Sequence, residues 1–308
     1  MKLRTALEQY IRLKKSLGFR FETARRILMA FSRALGEVNL AEVEPTAVRA
    51  YLDGDGPVTR TWALKWRTLR CFYRFAQARG LARRSPLPHR PPKVTTSFTP
   101  YIYTDQELRQ LLEAITPKRA AGLTPRTVRA LLLLLYGAGL RISEALQLED
   151  ADVELKDRLL RVRCSKFFKT RLVPIGPRLA QELAKYECER PAAKGTHRRF
   201  FRSKRGAPIS CCAIDRIFRA LRAATGIERS DGAYHQPRLH DLRHTAAVHR
   251  LVAGYRQGVD LQTLLLSLSA YLGHVDLGAS QPYLTVIPEL REKACQRFAR
   301  YALGGSHE

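Results

Sequence analysis

The chain has 308 residues, of which 45% are hydrophobic, and its 54 Lys and Arg against 28 Asp and Glu give a net charge of +26. This length favours two domains, and the hydrophobic content excludes a globally disordered chain. Positive charge spread along the whole sequence indicates a folded protein that binds a long nucleic acid. Without a secretory signal or a long apolar run, we expect a cytoplasmic, nucleoid-associated protein and no membrane partner.

The cysteines show no Cys-x-x-Cys pair, although the sequence contains six of them: Cys71, Cys164, Cys188, Cys211, Cys212 and Cys295. Neighbouring cysteines do not easily bind one metal ion together. We therefore expect reduced cysteines that mostly pack against other side chains.

The first 84 residues predict a small all-helical domain. Apolar residues recur there at helical spacing in four segments: 3–16, 23–35, 45–52 and 59–79. Thr23 is the expected N-cap of the second helix. Taken alone, this domain would be a DNA-clamping or a protein-interaction module, and the arginines and lysines on its outer faces favour DNA.

Residues 85–100 mix five prolines with basic residues and predict an extended linker. The second domain, 101–308, begins with a capping-box pattern at Thr104. Its expected helices lie around 104–115, 124–138, 179–188, 214–225, 239–252, 261–272 and 288–303. Three short alternating segments, 153–155, 159–162 and 172–175, predict strands. The fold class is therefore mainly α with a small antiparallel β-sheet.

Arg141 follows a helix that Gly137 and Gly139 interrupt, in the sequence Gly-Leu-Arg-Ile-Ser-Glu. Backbone amides and a guanidinium at such a helix end can converge on an anion. Glu144 lies one helical turn further on. It either forms a structural salt bridge or fixes a neighbouring side chain.

Lys166 and Lys169 lie in the predicted turn between two strands. A hairpin tip can reach into a DNA groove, and both lysines also suit simple phosphate contacts.

His240 and Arg243 are three residues apart and share one face of a predicted helix, which suits a phosphate. His240 and His244 are four apart, as in some zinc sites, but Asp241 occupies the place where that motif needs a glutamate. His274 follows in Leu-Gly-His, and Tyr283 comes nine residues later. A tyrosine hydroxyl, with a reference pKa of about 10, is a poor nucleophile unless it is activated.

These motifs, in this order, resemble those of the tyrosine recombinase (phage integrase) family. The matching features are Gly-Leu-Arg-Ile-Ser-Glu, a turn lysine before Arg-Leu-Val-Pro, His-x-x-Arg, Leu-Gly-His and the following tyrosine. The resemblance covers about 104–303 by motif and the N-terminal region by architecture. It implies that the catalytic residues are Arg141, Lys166, His240, Arg243, His274 and Tyr283. It implies no metal and no cofactor.

The resemblance also implies an architecture and a reaction. A core-binding domain (1–84) and a catalytic domain (101–308) would form a C-shaped clamp on double-stranded DNA. The enzyme would cleave and rejoin strands through a 3′-phosphotyrosyl bond, mobilising or integrating a DNA element. It would act as a homotetramer on synapsed sites, alone or with related recombinases. A type IB topoisomerase-like enzyme and a non-catalytic architectural DNA-binding protein are the alternatives.

Two features depart from the usual pattern of the family. The lysine turn lacks glycines and reads Ser165-Lys166-Phe167-Phe168, so that Lys169 remains an alternative to Lys166. The segment 255–269 is longer than usual and resembles transposon-borne members. The final helix carries an apolar stripe that packs either on a neighbouring protomer or on its own domain: Leu290, Ala294, Phe298 and Tyr301.

Overall fold

The structure is a computed structural model that describes residues 1–19, 21–54, 60–92, 99–163, 170–231 and 235–273. The chain divides into two compact units, Met1–Ser97 and Phe98–Glu308. Several predictions fall outside the described residues: those on Lys166, Lys169, His274, Tyr283 and the final helix. Within the described part of the chain, no helix is long and apolar enough to cross a membrane.

The first unit is all-helical. Its elements are α1 (Leu3–Ser16), α2 (Glu22–Leu35), a 3₁₀ helix (Leu40–Glu42), α3 (Pro45–Asp53) and α4 (Arg60–Ala78). The long helix α4 buries Trp62, Trp66 and Phe72 at helical spacing against the other helices. This face supplies most of the large side chains in the core of the unit.

The predicted N-cap of α2 is wrong. The chain turns at Phe21, whose φ of 50° is left-handed, and the helix starts at Glu22. Thr23 therefore lies inside the first turn, where its hydroxyl makes no cap. The acidic Glu22 instead places negative charge at the positive end of the helix dipole.

The second unit contains the remaining helices: α5 (Asp105–Glu113), α6 (Pro125–Gly137), α7 (Ile142–Gln147), α8 (Pro177–Glu189), α9 (Cys211–Thr225), α10 (Asp241–Arg256) and α11 (Leu261–Leu272). A second 3₁₀ helix spans Asp150–Asp152. The capping box at Thr104 is present, with Glu107 as its partner. The helix α6 buries leucines on several faces, because it lies in the middle of the core.

A three-stranded antiparallel sheet completes this unit, in the order β1 (Val153–Glu154), β2 (Leu159–Val162), β3 (Arg171–Pro174). Val162 pairs with Arg171 at the end of the β2–β3 pair that adjoins the connection between the two strands. The connection between them contains the two candidate lysines. The prediction of a mainly α fold with a small antiparallel sheet is confirmed.

A smaller apolar cluster joins α10 to α11, with Leu251 and Leu272 buried in it. A Cβ on Gly254 would lie 2.5 Å from Leu264 Cδ2, so glycine permits the close approach of the two helices. Truncating a buried leucine of such a cluster to alanine costs about 2–5 kcal/mol. This packing holds the end of α11 beside the beginning of α10.

Candidate functional site

The site begins where α6 ends. Gly139 has a left-handed φ of +60°, and a Cβ there would lie 2.8 Å from Leu272 Cδ2. Glycine therefore serves both the turn and the contact with the end of α11. The turn brings Arg141 to the N-terminus of α7, as the N-cap residue.

Glu144, in the first turn of α7, is 8% exposed. Its Oε2 accepts a hydrogen bond from the Arg141 backbone N at 3.0 Å, and its Oε1 accepts one from Arg141 Nη1 at 2.8 Å. The Arg141 side chain remains 30% exposed. Glu144 thus orients an arginine that solvent, and hence a ligand, can still reach.

Arg171 is the second partner of Glu144, and sequence reasoning missed it. Arg171 Nη1 donates to Oε1 at 3.1 Å and Nη2 to Oε2 at 2.9 Å. The sequence showed Arg171 only as the start of Arg-Leu-Val-Pro. Nothing local indicates that an arginine at the start of a strand pairs with a carboxylate 27 residues upstream.

The pKa of the Glu144 carboxyl depends on its burial and on the two neighbouring arginines. Burial by itself raises the pKa, but the hydrogen bonds and charge of Arg171, together with Arg141, lower it to about 2. Glu144 is therefore ionised at neutral pH. A general acid–base role does not suit such a carboxylate, and an orienting role does.

Arg243 lies in the first turn of α10 with its side chain 2% exposed. Nη1 donates to the Gly139 carbonyl and Nη2 to the Leu272 carbonyl, each at 2.7 Å. Glu144 Oε2 lies 3.8 Å from Nη1. A buried charge requires partners of this kind, and here they tie the Gly139 turn to the end of α11.

His240 directly precedes α10. Burial lowers the pKa of its imidazole to about 4, helped by the charge of Arg243, while Asp241 opposes the shift. The positive charges of Arg238 and Arg141 lower the pKa of His240 further. His240 is thus neutral at neutral pH and able to accept a proton.

His240 also packs against His244, with the rings edge to face at 4.9 Å between centroids. Within the described residues, no three or more His, Cys, Asp or Glu side chains are grouped so as to hold a metal ion.

The backbone around His240 is anchored on both sides. The buried Asp241 accepts hydrogen bonds from Arg238 N at 2.8 Å and from Arg238 Nη2 at 3.1 Å. Tyr103 OH donates to the Arg238 carbonyl at 3.2 Å, and Tyr103 N donates to Thr245 Oγ1 at 3.0 Å. These hydrogen bonds therefore fix the backbone on either side of His240.

An open cleft adjoins His240 on the side of α9. Basic side chains among its lining residues suit an anionic ligand: Arg219, Arg222, His235 and Arg238.

Of the six predicted site residues, Arg141 and Arg243 lie together around Glu144. His240 lies three residues before Arg243, at the N-terminus of α10. The other three lie outside the described residues. Gly273, the last described residue, has a left-handed φ of +66° and directly precedes His274.

Comparison with solved structures identifies the fold. The structure of the Tn1549 transposon integrase bound to a circular intermediate DNA superposes with a TM-score of 0.73 and 17% identity, over 96% of this chain and 99% of that one. The fold is therefore that of integrases.

Sequence relatives identify the family. The Phage integrase family model matches residues 102–289. A putative integrase/recombinase y4rB of Sinorhizobium fredii is 33% identical over 96% of this chain and 97% of its own length. Tyrosine recombinase XerA of Thermococcus kodakarensis is 32% identical over 80% of this chain and 78% of its own length. The chain belongs to the phage integrase family, and the predicted enzyme class, tyrosine recombinase, is confirmed.

Proposed function

We propose that this chain is a site-specific DNA recombinase that cleaves and rejoins strands through a covalent 3′-phosphotyrosyl intermediate. The arrangement of Arg141 and Arg243 around Glu144, with His240 at the start of the helix that carries Arg243, is the observation that supports this function most strongly. Its relatives are named integrases and recombinases, which favours strand exchange over topoisomerase-like relaxation or an architectural role.

The arginines suit a scissile phosphate. Three guanidinium groups, those of Arg141, Arg171 and Arg243, surround the single carboxylate of Glu144, so that two positive charges remain in excess. Attack on a phosphodiester adds negative charge to its non-bridging oxygens, and fixed guanidiniums stabilise that charge most where water is excluded. We assign Arg141 and Arg243 to phosphate binding, with His274 as a further hydrogen-bond donor.

Tyr283, His240 and Lys166 would carry out the transesterification itself. The Tyr283 hydroxyl oxygen bonds to phosphorus as its proton passes to neutral His240. The bond from phosphorus to the 5′ oxygen breaks, and this oxygen takes a proton from Lys166. A 5′ hydroxyl from a partner strand reverses the step. The phosphodiester energy is conserved, so the scheme consumes no nucleotide.

Exchange between two duplexes breaks and rejoins four strands. With one nucleophile per chain, this requires four protomers on two synapsed sites, so we assign the active form as a homotetramer. The core-binding domain, residues 1–84, lies within the first unit and would supply additional basic contacts to the duplex. The mobilised product is a DNA element bounded by these sites.

The test uses a duplex site that is selected from a random pool by binding to the wild-type chain, and is then nicked near the crossover point. Wild-type protein should form an adduct that survives denaturation, in chelator as well as in magnesium. Tyr283→Phe should form none while it still binds the duplex. An adduct of equal yield with Tyr283→Phe would overturn the assignment.

A further inference from the structure

We infer that Arg171 is a positioning residue of this enzyme. It fixes Glu144 and the backbone at the end of α11, and thereby sets the direction of Arg141 and the start of the segment that contains His274. The inference rests on the proposed function, because Arg141 and His274 matter here as ligands of the scissile phosphate.

The first support is the shared use of Glu144. Oε1 accepts from Arg141 Nη1 and Arg171 Nη1, and Oε2 accepts from Arg141 N and Arg171 Nη2. A carboxylate held by one arginine can still rotate. The two-point fork from Arg171 fixes the plane of the carboxylate, and therefore the direction in which Arg141 Nη1 is held.

The second support is the contact with the end of α11. Arg171 Nε donates to the Tyr271 carbonyl at 3.3 Å. A Cβ placed on Gly273 would lie 2.9 Å from Arg171 Nη1 and 3.0 Å from its Cζ, so the guanidinium lies directly against this glycine. The neighbouring Leu272 carbonyl accepts from Arg243. Two arginines thus hold the three residues that precede His274.

The third support is the location of Arg171 in the chain. It opens β3, directly after the connection that contains Lys166 and Lys169, and its side chain is 12% exposed. One side chain therefore links the start of β3, the N-terminus of α7 and the end of α11. A lysine at this position would keep the charge, but its single nitrogen cannot make the same fork.

Arg171→Lys therefore separates geometry from charge. In single-turnover reactions with the nicked duplex, we expect adduct formation to slow by about 10²-fold, the effect of a displacement of roughly 1 Å at a reacting group. Equilibrium binding of the same duplex should change little, and the thermal midpoint should fall only in part, because lysine keeps one charged contact with Glu144. A purely structural arginine would instead alter binding and stability in parallel with the rate.

The matched control is Arg161→Lys on the adjacent strand. Arg161 pairs with Glu154 at 2.7 Å, and the two side chains are partly exposed, at 42% and 38%. This variant should keep the wild-type rate. A second check combines Arg171→Lys with Glu144→Gln. If Arg171 acts through Glu144, the double variant should be no slower than the slower single variant.

The outcomes separate the two claims. If the wild-type chain forms no adduct, the proposed function is wrong. If wild type reacts and Arg141→Ala does not, but Arg171→Lys reacts at the wild-type rate, the positioning role alone is overturned. Loss of rate that only accompanies equal loss of folding or DNA binding would also overturn it.

Discussion

The Arg243 guanidinium donates to the Gly139 carbonyl at 2.7 Å, across 104 positions of sequence. With its bond to the Leu272 carbonyl, this contact joins the Arg141 turn, α10 and the end of α11. The residue proposed to bind phosphate is therefore also the residue that holds the three segments together. Stability and catalysis should be coupled at this position.

Arg243→Ala should lower both the stability of the fold and the rate of DNA cleavage. It leaves two buried carbonyls without their donor and reduces the positive charge beside Glu144, so the free energy of unfolding should fall by about 3–5 kcal/mol. Arg243→Lys should recover part of the stability but little of the cleavage rate, because one nitrogen cannot donate to both carbonyls in the same geometry. Denaturant unfolding and adduct formation on the nicked duplex measure the two effects.

A matched surface variant is Arg219→Ala, which removes an arginine from a pair with Asp215 in which the side chains are 65% and 50% exposed. It should leave the denaturation midpoint unchanged, as is usual for such pairs. If Arg243→Ala were as stable as Arg219→Ala, the two carbonyl contacts would not support the fold.

His240 should make stability depend on pH. Its pKa is lowered from 6.5 to about 4 in the folded chain, mainly by burial. The unfolded chain then binds more protons between these values, so stability rises with pH through the window from about 4 to 6.5 and is fully present above it. Because His240 is also exposed to solvent, screening reduces this contribution to about 1 kcal/mol or less.

His240→Asn should flatten that part of the curve. Urea unfolding of both proteins at pH 4.5, 5.5 and 7 tests this. Glu144 contributes in the same direction but at lower pH, because its pKa is lowered from 4.5 to about 2. Burial also lowers the pKa of His249, and this contribution is common to both proteins. Equal slopes for wild type and variant between pH 4.5 and 6.5 would contradict the assignment.

The sequence predicted the helices and strands better than it predicted the long-range hydrogen bonds of the site. The capping box at Thr104 and the apolar stripe of α4 depend on neighbours within a few residues, and both are found as expected. The contacts of Arg243 and Arg171 join residues 27 to 104 positions apart, and no local pattern encodes such pairs. The start of α2 was mispredicted because the turn at Phe21 competes with Thr23 as a cap.

Gly139→Ala should be more damaging than an alanine at an ordinary left-handed glycine. The positive φ of +60° costs about 1–2 kcal/mol for an L residue. The new Cβ would also press on Leu272, which is fully buried and has little room to move, at an additional cost of about 1–3 kcal/mol. Because the Leu272 carbonyl binds Arg243, the cleavage rate should fall as well.

Gly226→Ala is the control for this effect. Gly226 has a φ of +67° at the end of α9, and a Cβ there would meet nothing within 4 Å. It should therefore show the backbone cost without the packing cost, and a normal cleavage rate. Equal loss of stability in the two variants would mean that the approach of Leu272 to Gly139 has no energetic importance.

Either Lys166 or Lys169, both in the β2–β3 connection, is the general acid. Lys166 and Lys169 both follow β2 and precede Arg171, which pairs with Val162. We expect Lys166→Ala to slow adduct formation, because the 5′ oxygen then leaves as an unprotonated alkoxide. General-acid catalysis contributes about 10²–10⁴-fold in rate, so the defect should be large.

A nicked duplex with a sulfur atom in place of the scissile 5′ oxygen distinguishes the two lysines. A thiolate is a far better leaving group than an alkoxide and needs no proton, so the sulfur substrate should restore the rate of Lys166→Ala. Lys169→Ala should lose DNA affinity at most, and sulfur should not rescue it. Rescue of Lys169→Ala, with Lys166→Ala reacting normally on ordinary DNA, would move the general acid three residues along the hairpin.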